Sequence, residues 1–249
     1  MSIAQNIAAI RERIARAAVR VGRNPLEIAL MAVCKTHPPD AIREAFEAGQ
    51  RIFGENRVQE FAGKFAELSA ASPTVASAKV CNVFDIDEAD FHLIGHLQSN
   101  KAAKAVELFE AIDSVDSLKL AERLNAAAEG LKKTIRVLIE INVGGEEAKS
   151  GILLGSPELD AILTAAPRLR NLEIRGLMTV PPFTESPSDA RPFFRVLRDL
   201  RDQIVARNLP SVGMKELSMG MSHDFEVAIE EGSTCVRVGT AIFGARDYQ

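Results

Sequence analysis

A single (βα)8 barrel of the TIM type, α/β in class and carrying one extra N-terminal helix, is the fold the sequence predicts. Three observations carry that expectation. Eight short apolar runs alternate with amphipathic helical patterns along 249 residues, the rhythm of parallel strands buried on both faces and joined by crossover helices. No linker, composition break or internal repeat interrupts the alternation, so residues 1–249 read as one domain. After the eighth run only "GTAIFGARDYQ" remains, too short for a full closing helix, while an additional helical pattern precedes the first run and would complete the ring. An open, doubly wound sheet shares the same local signature.

The elements follow in order. The stretch "IAQNIAAIRERIARAAVRVG" is Arg-rich in the manner of a transit peptide. Yet Ile3, Ile7, Ile10, Ile14, Ala17 and Val21 recur at helical spacing behind Ser2 as N-cap, which favours a docked first helix. Strands are expected at Ile28–Cys34, Arg51–Gly54, Phe91–Gly95, Ala111–Val115, Arg136–Asn142, Glu173–Thr179, Glu216–Met219 and Cys235–Val238. Helices are expected at Pro39–Ala48, Arg57–Leu68, Lys101–Leu108, Ser117–Glu129, Ser156–Ala165, Pro187–Arg207 and Phe225–Glu231. Residues 69–90, small and then acidic, read as a surface excursion.

Composition narrows the function. A net charge of −4 with no basic block gives no footprint for nucleic acid or an anionic membrane surface. No run approaches the ~18 apolar residues of a membrane span. Cys34, Cys81 and Cys235 are odd in number and lack metal-ligand spacing, so they read as free thiols of a reducing, cytoplasmic compartment. A monomer is expected. His37, His92, His96 and His223 show no paired metal-binding spacing. Of these, His92 alternates outward on the third strand, as a packed or surface residue, whereas His96 and His223 fall at strand ends. "NVGGEEAKSG" lacks the spacing of a dinucleotide fingerprint.

Active sites of this fold lie at the C-terminal ends of the strands, which directs attention to "IALMAVCKTHPP". An ammonium ending a buried strand must be paired, must surface there, or must become neutral and take part in chemistry. Alternation sends Met31, Val33 and Lys35 into the barrel and turns Ala32 and Cys34 toward the helices. Loops after strands 7 and 8 commonly hold a phosphate, and Gly239 and Thr240 of "GTAIFG", with Ser222 of "SMGMS", offer N–H and hydroxyl donors there. A lysine facing a phosphate cradle is the layout expected for pyridoxal phosphate (PLP), the amine forming a Schiff base with the aldehyde.

The segments "AVCKTHPPDAIREAFEAGQRIFGENRVQE", "HLIGHLQSNK", "SVDS", "RGLMTV" and "LSMGMSHDFEVAIEEGSTCVRVGTAIFGARDYQ" closely resemble the pyridoxal phosphate homeostasis proteins. The resemblance runs from about Ile3 to the C-terminus. It implies a fold-type III barrel like the N-terminal domain of alanine racemase. It implies that Lys35 is the cofactor lysine, that Arg237 faces the pyridine nitrogen, that Ser222, Gly239 and Thr240 bind the phosphate, and that Asn56 of "GEN" lies near the cofactor. The implied function is to hold, buffer and deliver PLP, with PLP-dependent apo-enzymes as recipients and no catalytic residue. A guanidinium at the pyridine nitrogen disfavours the pyridinium and so weakens the electron sink. The structural alternative for Arg237 is an interior salt bridge to a strand-end carboxylate such as Glu140. An amino-acid racemase is the alternative function; Tyr248 is the only tyrosine, so a second acid/base opposite Lys35 is hard to supply. Residues 69–90 are longer and more irregular than the resemblance implies.

Overall fold

In the computed structural model, which describes residues 1–70, 84–146 and 148–244, each expected apolar run becomes a strand. These are β1 (Ala29–Val33), β2 (Ile52–Glu55), β3 (Asp90–Leu93), β4 (Ala111–Val115), β5 (Ile135–Asn142), β6 (Leu172–Met178), β7 (Val212–Ser218) and β8 (Cys235–Val238). All pair in parallel and in chain order, β4 joins β5, and β8 returns to β1. That last ladder, with Met31 beside Arg237 and Ala32 beside Val238, closes the ring and distinguishes a barrel from an open sheet. Closure leaves no exposed barrel edge. A two-residue strand, Ile152–Leu153, adds to the end of β5.

The N-terminal helix α1 (Ile3–Arg20) begins with a capping box: the Ser2 hydroxyl accepts from the Gln5 N–H while the Gln5 side chain accepts from the Ser2 N–H. Its buried face is Ile7, Ile10, Ile14, Ala17 and Ala18. That face packs on α2 (Pro39–Glu47), α8 (Phe225–Glu230) and the short α9 (Thr240–Phe243). Asn6 Nδ2 donates to Ile242 O at 2.8 Å, and Arg13 pairs with Glu226 at 2.8 Å. The gap beyond β8 is therefore filled from the N-terminus, as the sequence predicts. The remaining helices of the ring are α3 (Val58–Ala70), α4 (Ala102–Leu108), α5 (Leu118–Gly130), α6 (Pro157–Ala165) and α7 (Arg191–Ala206). Ser117 and Ser156 cap α5 and α6.

Register separates the helix-facing core from the barrel interior. Phe53 of β2 and Phe91 of β3 stack at 5.4 Å, and Phe61 of α3 lies 4.6 Å from Phe91 and 4.7 Å from Phe109. With Phe91 outward, His92 must point inward, which corrects the outward placement expected from the sequence. The imidazole is buried with Nδ1 3.0 Å from Asp113. A carboxylate supplied by the neighbouring strand compensates the inward burial of a polar ring. Burial disfavours the charged imidazolium, but Asp113 and Asp90 outweigh it, and the pKa is raised to about 10. Asp90, His92, Arg136 and Glu216 line a cavity of about 550 Å³ at the N-terminal end of the barrel, opposite the mouth.

Cys34 and Cys235 are free and buried, and burial raises the pKa of both thiols, that of Cys235 to about 12. Of the expected excursion at 69–90, the first two residues end α3, and Phe84 packs on Phe46 at 4.9 Å. Residues 71–83, with Cys81, lie outside the described residues, as does Tyr248.

Candidate functional site

The ends of β2, β1, β8 and β7 are neighbours in the ring, so the loops that follow them meet over one side of the barrel mouth. Val33 is in register with Gly54, and Ala32 with Val238. Two residues beyond Val33, Lys35 falls level with Asn56 on one flank, while on the other the Gly239–Thr240 turn begins beside Val33, one step below it. Lys35 is half-buried, just past the last residue of β1. Cys34 faces the helix layer as expected, its thiol donating to Glu55 Oε1 at 3.3 Å. Thr36 then takes a left-handed φ of 66°, which is strained for a β-branched residue.

The main chain around Lys35 is tied to α3. Lys64 Nζ donates to Cys34 O at 3.0 Å and to Glu55 Oε1 at 2.8 Å, and Glu60 Oε1 accepts from the Thr36 N–H at 2.7 Å. Burial opposes the charge on Lys64, but Glu55 beside it wins, and the ammonium is held more firmly than usual. Burial likewise opposes the charge on Glu60, but the Thr36 N–H and Lys64 outweigh it and lower the pKa.

Asn56 is fixed by its main chain. A Cβ on Gly95 would collide with Asn56 O, so only glycine lets the β3 end approach so closely. Arg237 points into the barrel one layer below the mouth and is 4% exposed. Its Nη1 donates to Ser218 Oγ and its Nη2 to Thr179 O, both at 2.7 Å. The Glu140 salt bridge considered from the sequence is not formed. Glu140 Oε1 accepts from Ser150 Oγ at 2.8 Å, while Oε2 has no hydrogen-bond partner among the described residues; burial raises its pKa. Burial lowers the pKa of Arg237. Buried cations are ordinarily paired, yet this guanidinium is held by two neutral oxygens and keeps further N–H groups. That donor set fits an uncharged acceptor such as a pyridine nitrogen.

The Arg237 N–H donates to Gly220 O at 3.0 Å, aligning the loop after β7 with β8. Ser222 and Gly239 each follow this contact by two residues in the chain. The first turn is closed by the Met221 N–H donating to Asp224 Oδ1 at 2.7 Å. The second lies against β1, since a Cβ on Gly239 would be 3.2 Å from Val33 O. Thr240 opens α9 and is exposed; the first N–H groups of a helix have no intrahelical acceptor. Hydroxyl and main-chain N–H groups thus stand at two adjacent strand ends. His223, exposed, lies 5.7 Å from the Phe183 ring, and His96 Nδ1 is 3.1 Å from Asp116 Oδ2. A cavity of about 590 Å³, lined by Asn56, His96, Glu140, Lys149 and Ser150 among others, opens on the same face.

The structure therefore brings Lys35, Asn56, Ser222, Gly239 and Thr240 to one rim with Arg237 beneath. Sequence reasoning missed Thr179 and Ser218, which hold Arg237, and Glu60 and Lys64, which hold the Lys35 segment. One signal was available: Lys64 falls on the apolar stripe of Phe61, Phe65 and Leu68 and follows Glu60 by four residues.

Residues 5–247 match the family model of the alanine racemase N-terminal domain, and that barrel is the class the fold and mouth define. D-threonine aldolase from Filomicrobium marinum shares this fold, with a TM-score of 0.70 at 15% identity over 96% of this chain and 59% of that one. Proteins named pyridoxal phosphate homeostasis protein from Aquifex aeolicus and Pseudomonas aeruginosa are 41% and 44% identical. They align with 100% and 99% of this chain and with 100% and 97% of their own lengths. PipY of Synechococcus elongatus, solved with PLP bound, is 37% identical, with a TM-score of 0.79 over 98% of this chain and 100% of that one. The chain belongs to the pyridoxal phosphate homeostasis protein family.

Proposed function

We propose that this protein binds pyridoxal 5′-phosphate at the mouth of its barrel and acts in PLP homeostasis, without substantial catalysis of its own. It holds and buffers the reactive aldehyde and passes the cofactor to apo-enzymes. The observation that carries this reading is Arg237: a buried guanidinium with two neutral acceptors and no carboxylate within ion-pair distance among the described residues. Lys35 forms the Schiff base. Arg237 presents an N–H to the pyridine nitrogen, Ser222 and the Gly239–Thr240 main chain hold the phosphate, and Asn56 lies beside the ring. When bound, PLP supplies an electron sink for carbanions α to an amine. A permanent donor at the ring nitrogen keeps that nitrogen unprotonated and the sink shallow, as suits a carrier.

The protein acts as one domain, monomeric and cytoplasmic. Among the described residues no helix is long and apolar enough to cross a membrane. Borohydride reduction of the PLP-loaded protein, followed by peptide mapping, tests the site: the pyridoxyl group is expected on Lys35. A label on Lys101 or Lys149 instead contradicts the assignment.

A further inference from the structure

Two charged side chains of α3 grip the main chain on either side of Lys35. The oxygen bound by Lys64 Nζ, at 3.0 Å, belongs to the peptide joining Cys34 to Lys35. The N–H bound by Glu60 Oε1, at 2.7 Å, belongs to the peptide joining Lys35 to Thr36. Nζ and Oε1 are themselves 3.0 Å apart, and Glu55 Oε1 completes the set at 2.8 Å from Nζ. The two peptide planes that set the direction of the Lys35 Cα–Cβ bond are thus each bonded to a side chain of one helix. The segment's own main-chain bonds flank Lys35: the Cys34 N–H donates to Gly54 O at 3.0 Å and the His37 N–H to Cys34 O at 3.1 Å, while Thr36 adopts φ 66°, outside the region a β-branched residue favours. Lys64 is 9% exposed on an otherwise apolar stripe, where a buried ion pair often adds no more stability than hydrophobic side chains of similar size. Its hydrogen bonds go to the Lys35 segment and to the carboxylates beside it.

We propose that Glu60 and Lys64 are positioning residues for Lys35. They act through its flanking peptide groups so that its amine meets a carbonyl ligand at the mouth in one orientation. The inference rests on the reading of Lys35 as the cofactor lysine and concerns what holds that lysine ready.

The test uses Glu60→Ala, which removes the acceptor for the Thr36 N–H, Glu60→Gln, which keeps an oxygen there, and Lys64→Met. The Glu60 side chain is 30% exposed, so its variants keep the test open if Lys64→Met does not fold. One arm labels Lys35 in the cofactor-free protein with acetic anhydride across pH, read by mass spectrometry of the Lys35 peptide. The other follows the rate of PLP adduct formation by absorbance, with thermal unfolding recorded alongside. In Glu60→Ala the adduct is expected to form about tenfold more slowly, as befits one charge-assisted hydrogen bond lost. The labelling profile of Lys35 is expected to shift, and Glu60→Gln to recover most of both. A Lys35 labelling profile and adduct rate unchanged in Glu60→Ala overturn the proposal. A loss that tracks only the melting temperature and is not recovered by Glu60→Gln overturns it too. A wild-type PLP adduct mapped away from Lys35 refutes the cofactor reading, and the cofactor-free labelling arm then decides the clamp alone.

Discussion

Ser222 carries the simplest test at the scale of single residues. If its hydroxyl holds the phosphate, Ser222→Ala loses one charge-assisted hydrogen bond, about 1.5–3 kcal/mol. PLP affinity, measured by equilibrium titration, should fall accordingly, while pyridoxal, which lacks the phosphate, should be nearly indifferent to the change. Equal weakening of both ligands assigns the serine another role. His92 yields a second expectation. Its folded pKa of about 10 lies above the ordinary value near 6.5, so the native state binds its proton more tightly than the unfolded chain does. The stability it contributes is complete below about pH 6.5 and is lost as the pH rises through about 10. Urea unfolding across that window should show an alkaline decline that His92→Gln flattens, and the His92 ring should not titrate by NMR near neutrality. An imidazole titrating near pH 6.5 contradicts the Asp113–His92–Asp90 arrangement. Lys35 could be singled out in the sequence because an apolar strand ends on a charge before a Pro pair. The inward side of His92 could not, since it turns on a one-residue parity that the Phe53–Phe61–Phe91 packing sets.

At the scale of elements, α1 is the piece that the barrel borrows. Ile10 and Ile14 are 3% and 4% exposed, on the face that covers the gap after β8. Ile10→Ala or Ile14→Ala should lower the unfolding free energy by about 2–5 kcal/mol, the range for truncating a buried aliphatic side chain. An effect under about 0.5 kcal/mol, the size of an exposed substitution, would mean that α1 is not docked in solution. The strands and helices were readable because each is bounded by turn chemistry and keeps its own period: Ser2, Ser117 and Ser156 cap helices, and Pro39 and Pro157 open them. The internal work of α3 was not. The sequence puts Lys64 on the apolar stripe of α3, but what it binds there stays unread until β1 and β2 are placed beneath it, because its acceptors, Cys34 O and Glu55, are 30 and 9 residues away in the chain.

For the molecule as a whole, a closed barrel presents polar groups at both ends of its interior, and among the described residues only the mouth unites a half-buried lysine, two donor turns and a guanidinium without a carboxylate partner. On the proposed function, binding PLP there and withholding strong catalysis would both depend on Arg237. With its guanidinium at the ring nitrogen, bound PLP should labilise the α-hydrogen of an added amino acid only slowly. Arg237→Glu, which can share a proton with the ring, should raise that rate wherever the variant folds and keeps its cofactor. The most direct measurement is α-deuterium incorporation into alanine in deuterated solvent, followed by NMR per mole of bound PLP, in wild type and Arg237→Glu, with cofactor occupancy determined separately. Slow exchange in the wild type and faster exchange in the variant is the predicted result. Wild-type exchange as fast as that of a dedicated racemase would contradict the carrier function.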